Sequence, residues 1–293
     1  FVFHSKGVNM FNKDFGKAAS DLISKDFPGQ LEVEVATKNA NLDVTTNMDL
    51  NPDGTFAAKL KPTFKVCDCS KVEVTLDTEG NHSTKVTATD LVKNLKSSLS
   101  INCARLVDVN GQVVHTQSVT ADADYTYNRG TASLKLAFPS LSVCAPRTTL
   151  AFVYLYDKFA FGAEGVLSFG ESTECEKVSA NVEYKQMRNI LSVGASSSKG
   201  VVDASVKYFY VHDQFLLGTR VNWSGEKQAA SADVAFAKPM RDGGVGKLVF
   251  NTNGVVGLSY KKQICANSVL TVGTKVNVDN LQQKTGVALS FNI

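Results

Sequence analysis

The chain has 293 residues, 43% of them hydrophobic and 20% charged, with a formal charge of +3 and only 21 Gly and 6 Pro. That is too apolar for a disordered chain and far too poor in Gly and Pro for collagen or another low-complexity fibre. The longest uninterrupted apolar run, Leu150 to Tyr156, is far short of the roughly 20 residues that a transmembrane helix requires.

Basic and acidic residues alternate along the whole chain instead of gathering in one patch, so nucleic acid is not an expected partner. No Pro/Gly/Ser-rich linker or change of composition divides the chain, which therefore reads as one unit. The six cysteines form no paired CxxC, and His4, His82, His115 and His212 are scattered. Neither a metal site nor a disulfide scaffold is expected, and the thiols read as free in a reducing compartment. The start at Phe1 lacks the charged, apolar and small-residue order of a secretory leader.

In chain order, Phe11, Phe15, Ala18, Ala19, Leu22 and Ile23 recur at helical spacing, with Lys13, Asp14, Lys17 and Asp21 between them. This predicts one amphipathic helix of about 15 residues, capped by Asn9 or Asn12 and stopped by Pro28-Gly29. From Leu31 the period becomes two and stays so to the end. Leu31, Val33 and Val35 oppose Glu32, Glu34 and Ala36; Leu42, Val44, Met48 and Leu50 oppose Asp43, Thr45, Asn47 and Asp49; Phe56, Leu60 and Phe64 oppose Lys59, Lys61 and Lys65.

Breakers at Asn51 to Gly54, Glu79 to Asn81, Asp108 to Gly111, Ser197 to Gly200 and Asn251 to Gly254 read as hairpin turns. Ser140 to Arg147 and Lys238 to Gly244 read as longer connections. The runs number about nineteen at a spacing of roughly fourteen residues, as expected of a membrane barrel. Residues 1–28 form an N-terminal segment with the helix, and residues 29–293 the barrel.

A soluble sandwich alternates too, but no motif recurs at the period of a propeller or solenoid, and one sheet this long must close on itself to lose its edges. A barrel of this width is too wide for side chains to fill, so water or a plug occupies it. Charge on one face then has an explanation: Lys59, Lys61, Lys96, Lys135, Lys207, Arg220, Lys247 and Lys275 face inward, interspersed with Glu34, Asp49, Glu164, Glu183 and Asp203. The opposite, apolar faces are best covered by lipid.

These residues resemble the mitochondrial porins, or voltage-dependent anion channels. The opening from Phe11 to Gly29 is similar to that family's aromatic-x-x-Asp-x-Gly-Lys-x-Ala-x-Asp-Leu helix. The closing Lys284 to Phe291 fits a polar-x-Gly-x-x-hydrophobic-x-hydrophobic insertion signal read by the barrel sorting machinery, carried here by Lys284, Gly286, Leu289 and Phe291. Asn94-Leu95-Lys96 stands where the family has Gly-Leu-Lys, keeping the lysine associated with the nucleotide pathway. Val72, Val74 and Leu76 occupy the stretch where some members carry a membrane-facing glutamate.

The resemblance implies an all-β transmembrane barrel with the helix in its lumen, in the mitochondrial outer membrane. With nineteen strands, an odd count, the first and last strands must pair in parallel, Leu31 to Lys38 beside Thr285 to Ile293. The resemblance also implies a voltage-gated, weakly anion-selective pore for small metabolites including ATP and ADP. Lys13 and Lys17 on the helix, with Lys59, Lys61, Lys96, Lys135, Lys207, Arg220, Lys247 and Lys275, would attract the anions. The implied partners are the lipid bilayer, anionic metabolites and nucleotides in transit, the sorting machinery, and a homo-oligomer or larger outer-membrane complex. No cofactor and no catalysis are expected, since GxSxG, HExxH, P-loop and strand-to-helix GxGxxG patterns are missing. The alternatives are the pore of the related protein-import translocase, which an acidic lumen would favour, and a porin-like scaffold subunit. Cys67-x-Cys69 at a turn raises thiol pairing.

Overall fold

A computed structural model gives the structure, which describes residues 14–28, 30–50, 54–107, 113–140, 146–170 and 172–293. Among the described residues one short helix, α1 (Lys17–Ser24), precedes nineteen strands. They are β1 (Leu31–Lys38), β2 (Leu42–Leu50), β3 (Phe56–Cys67), β4 (Ser70–Asp77), β5 (His82–Thr89), β6 (Leu95–Val107), β7 (Val113–Tyr127), β8 (Gly130–Phe138), β9 (Arg147–Tyr156) and β10 (Phe159–Phe169). There follow β11 (Thr173–Gln186), β12 (Asn189–Ser198), β13 (Val201–Val211), β14 (Leu216–Ser224), β15 (Ala229–Pro239), β16 (Val245–Asn251), β17 (Val255–Cys265), β18 (Ser268–Asn277) and β19 (Gln282–Asn292).

Each strand pairs antiparallel with its sequence neighbour, and β1 also pairs parallel with β19, Leu31 opposite Val287 through Ala36 opposite Asn292, so the sheet closes. Closure leaves no unpaired edge, and a ring this wide cannot be filled by its own side chains. The parallel seam extends past the strand ends through the Ile293 N–H, which donates to the Ala36 carbonyl, and the Lys38 N–H, which donates to the Ile293 carbonyl.

The helix shows which side is the inside. It packs on β13, β14 and β15, and the residues packed against Ile23, Ala235 on β15 and Val249 on the neighbouring β16, fix the luminal parity of the wall there. Directly opposed residues share a face, so the register carries that parity around the ring. On β11, Glu183 is inside and 2% exposed, while Val178 and Val182 point outward, 53% and 40% exposed. On β1 and β19, Val33, Val35, Val287, Leu289 and Phe291 lie on the outer face, while Glu32, Glu34, Ala288 and Ser290 lie on the inner.

The turns follow their residues. Lys199 (φ 48) and Gly200 (φ 82) both take positive φ between β12 and β13, as a two-residue hairpin requires, and Gly80 and Gly254 do so in theirs. Asn51 to Asp53 and Asp108 to Gly111 lie outside the described residues. The connection expected over Lys238 to Gly244 is shorter, because β15 runs to Pro239 and only Met240 to Gly244 bridge to β16. Proline is tolerated there because it ends its strand.

The helix is also shorter than its periodicity predicts. A single turn at Asp14 leads to Gly16, whose φ of 62 breaks the helical path, and α1 begins at Lys17. Asn9 and Asn12 lie outside the described residues. At the other end Lys25 is extended and Asp26 takes a φ of 64, so the helix stops four residues before Pro28.

The lumen as candidate functional site

The helix is held by groups drawn from distant strands. The Gly16 N–H donates to Glu183 Oε2 at 2.6 Å, supplying from β11 the acceptor that the helix start lacks locally. Lys207 Nζ donates to the Phe15 carbonyl at 3.4 Å. Phe15 packs with Val153 and Ala160, and Ile23 with Ala235 and Val249, with Leu22 and Phe27 beside them.

Beyond the helix, Asp26 pairs with Lys261 at 2.9 Å and with Lys247 at 3.7 Å, and Lys247 also donates to the Lys25 carbonyl. Two cations lie over the Phe27 ring, Lys247 Nζ 4.9 Å and Lys275 Nζ 4.5 Å from its centroid. Room for this segment comes from small luminal residues. A Cβ at Gly218 would stand 3.1 Å from Leu22 Cδ2, and one at Gly257 only 2.8 Å from Phe27 Cε1. Glycine is needed at both because the helical segment approaches the strand backbone there.

Every strand cation expected to face inward lies on the inner face, but they fall into two sets. Lys207, Lys247 and Lys275 are engaged with the helical segment, and Arg220 is joined to Asp233 by two bonds of 2.7 and 2.8 Å. Lys59 and Lys61 on β3, Lys96 on β6 and Lys135 on β8 stand on the wall away from the helix. Acids sit beside them: Lys61 pairs with Glu73 at 3.2 Å, Lys59 is opposite Asp77, Lys96 opposite Asp124 and Lys135 opposite Asp122. Lys85, Lys96, Asp122, Asp124, Lys135 and Glu164 line a luminal recess of about 460 Å³.

On the helix, Lys17 is 58% exposed in its side chain and pairs with Asp14 at 3.7 Å, so among the described residues it is an exposed cation. Lys13 lies outside the described residues. Glu34, Asp49, Glu164, Glu183 and Asp203 all take inner positions, and β1 and β2 together present Glu32, Glu34, Asp43 and Asp49.

The four insertion-signal residues all fall on β19, with Lys284 and Gly286 inside and Leu289 and Phe291 outside. Asn94 adopts a φ of 66 just before Lys96, a conformation that Gly takes freely and Asn tolerates. Val72, Val74 and Leu76 face outward on β4, while Glu73 faces the lumen. The sequence reading missed Asp26, Phe27 and the glycines beneath them; the available signal was a set of small residues, Gly218, Ala235 and Gly257, at inward positions otherwise polar.

Comparison with known proteins agrees with this architecture. The chain is 22% identical over 290 residues to mitochondrial outer membrane protein porin 2 of Arabidopsis thaliana, covering 98% of each. It is 28% identical over 120 residues to mitochondrial outer membrane protein porin 5 of Oryza sativa subsp. japonica, covering 41% of this chain and 42% of that one. Among solved structures, a mutant of the Rh. blastica porin shares the fold with a TM-score of 0.50 at 8% identity, over 85% of this chain and 95% of that one. The model of the eukaryotic porin family matches residues 11–286, and the chain belongs to that family.

Proposed function

We propose that the barrel is a passive diffusion pore of the mitochondrial outer membrane, letting small metabolites, adenine nucleotides among them, move down their gradients. The observation that carries this reading is the position of α1: it is held on one arc of the wall, β13 to β15, and leaves the wall of β3 to β8 facing the lumen. Family membership and the names of the relatives support the same reading.

Selectivity is weakly anionic and electrostatic. Lys59, Lys61, Lys96 and Lys135, with Lys17 on the helix, draw phosphates toward the wall, while the acids opposite them keep the attraction from becoming a tight site. Voltage dependence arises from the charged helical segment, since moving one charge through the field is worth about 2.3 kcal/mol per 100 mV. The protein acts as a channel and not as a catalyst, with the bilayer as its permanent partner and the barrel sorting machinery reading the β19 signal during insertion.

The test is the conductance and reversal potential of the refolded chain in a planar bilayer under a salt gradient, with ATP and then a basic presequence peptide added. A large conductance that prefers anions and falls at high voltage supports the metabolite pore. Cation preference with peptide-dependent block replaces it with a protein-import pore, for which the acidic arc of β1 and β2 supplies a rationale. Folded barrels that do not conduct make the chain a scaffold subunit.

A further inference from the structure

The Cys67-x-Cys69 motif plays no part in the lumen. It forms the tip of the β3–β4 hairpin, where Cys67 opposes Ser70 across a two-residue turn made by Asp68 and Cys69. A register shift between Lys65 and Cys67 twists the strand end and brings the two sulfurs to 2.9 Å. Among the described residues no other two cysteine sulfurs are brought into contact, and Cys103, Cys175 and Cys265 stand on separate strands.

We propose that Cys67 and Cys69 are a redox-active dithiol that closes to a disulfide within the hairpin when the barrel meets a hydroperoxide. Cys67 is exposed, so a small peroxide reaches it, and Cys69 is half-buried directly behind it. The Cys69 thiol and the Ser70 hydroxyl, each 2.9 Å from Cys67 Sγ, are placed to donate to a thiolate there. The cross-strand pair Lys65 and Lys71 lies next along the hairpin and Asp68 in the turn carries the opposite charge, so the two hydrogen-bond donors are what favour the thiolate.

The chemistry balances with hydrogen peroxide as oxidant. The Cys67 thiolate attacks one peroxide oxygen, the O–O bond breaks, and the departing hydroxide takes up the thiol's proton to leave as water, giving a sulfenic acid. The Cys69 sulfur then attacks the Cys67 sulfur, the S–S bond forms as the S–O bond breaks, and the departing hydroxide leaves with the Cys69 proton as a second water. Two electrons and two protons pass from the dithiol to the peroxide, and an external thiol reverses the change.

The test uses the full chain refolded in lipid vesicles, treated with hydrogen peroxide, alkylated and digested with trypsin, which releases both cysteines on one peptide, Val66 to Lys71. The expected result is loss of two hydrogens from that peptide and loss of its alkylation, restored by dithiothreitol, while Cys103, Cys175 and Cys265 stay alkylatable. In Cys69→Ser the sulfenic acid at Cys67 has no partner and is trapped by dimedone. The proposal is overturned if both thiols remain alkylatable, if the linkage joins two chains, or if the urea-unfolded chain closes the bond as fast as the folded one.

Discussion

The Gly16 N–H and the Glu183 carboxylate meet at 2.6 Å across 167 residues of chain, joining the start of the helix to the inner wall of β11. Glu183 is buried and also holds Lys185 at 2.9 Å, so its two oxygens serve different partners. Replacing it leaves the Gly16 donor unsatisfied at a site closed to water. We expect Glu183→Ala to weaken helix docking by about 1–3 kcal/mol, the range for an orphaned buried group, and Glu183→Gln to cost less because it keeps an acceptor. A spin label at Lys17 reads the difference: its mobility rises in Glu183→Ala, and an unchanged spectrum counts against the bond.

Gly218 tests the same docking by shape instead of charge. A larger side chain there meets Leu22 and the backbone of Ala19. Gly218→Val is expected to push the helix off β14 while leaving the barrel closed, because the added atoms enter the lumen and not the ladder with β13 and β15. The check is a pair of measurements on one preparation: faster proteolysis near α1, with unchanged strand content by circular dichroism.

How much of this was legible beforehand differs between the barrel and the helix. A period of two needs no long-range knowledge, so the alternation of Leu31, Val33 and Val35 with Glu32, Glu34 and Ala36 already separated the outer from the inner face. The runs also counted to about nineteen, an odd number that requires a parallel seam, and the family resemblance agreed with that count. The helix seat was hidden because its parts are local in space and remote in sequence: no pattern near Gly16 points to Glu183, and nothing near Asp26 points to Lys247 or Lys261. The break at Gly16 was hidden for a related reason, since the apolar spacing runs through Phe15 and Ala19 without registering a backbone turn between them.

The inner cations are expected to separate in their effect on selectivity. Lys96 and Lys135 stand on the open wall, so Lys96→Glu with Lys135→Glu should move the reversal potential under a salt gradient toward cation preference. Lys247→Gln should act differently: Lys247 is only 5% exposed and bound to Asp26 and the Lys25 carbonyl, so its loss frees the segment after α1 and changes voltage dependence more than ion preference. Equal shifts from both variants would mean that the two sets are not distinct.

The β15–β16 connection supplies a prediction about acid. Asp242 accepts from the Tyr260 hydroxyl, from the Gly244 N–H at 3.2 Å and from Lys262 at 3.3 Å, and these bonds, the Tyr260 hydroxyl foremost, hold its carboxyl down to about 2. A carboxyl lowered on folding adds stability that is present above its ordinary value of 3.8 and is lost as pH falls through about 2. Asp242→Asn removes that contribution at every pH. The unfolding midpoints of the two proteins should therefore differ at about pH 6 and converge near about pH 2, and a gap that stays constant across this range would show that the carboxylate does not tie the loop to β17.

The last prediction concerns the register of β19, which fixes the seam and the orientation of the insertion signal together. Leu289 opposes Val33 and Leu270 on the outer face, and Ser290 opposes Glu34 and Val269 on the inner. Single cysteines placed by Leu289→Cys and Ser290→Cys should report opposite surroundings, because a shift of one residue would exchange every side chain between the two faces. In a background lacking the six native cysteines, a fluorophore at 289 should be quenched by brominated lipid and one at 290 by iodide from the water side. The reverse pattern would place Lys284 and Gly286 toward lipid and require a different pairing with β1. Loss of folding in Leu289→Cys is read separately, from the strand signal, and Val287→Cys then serves as the outward probe.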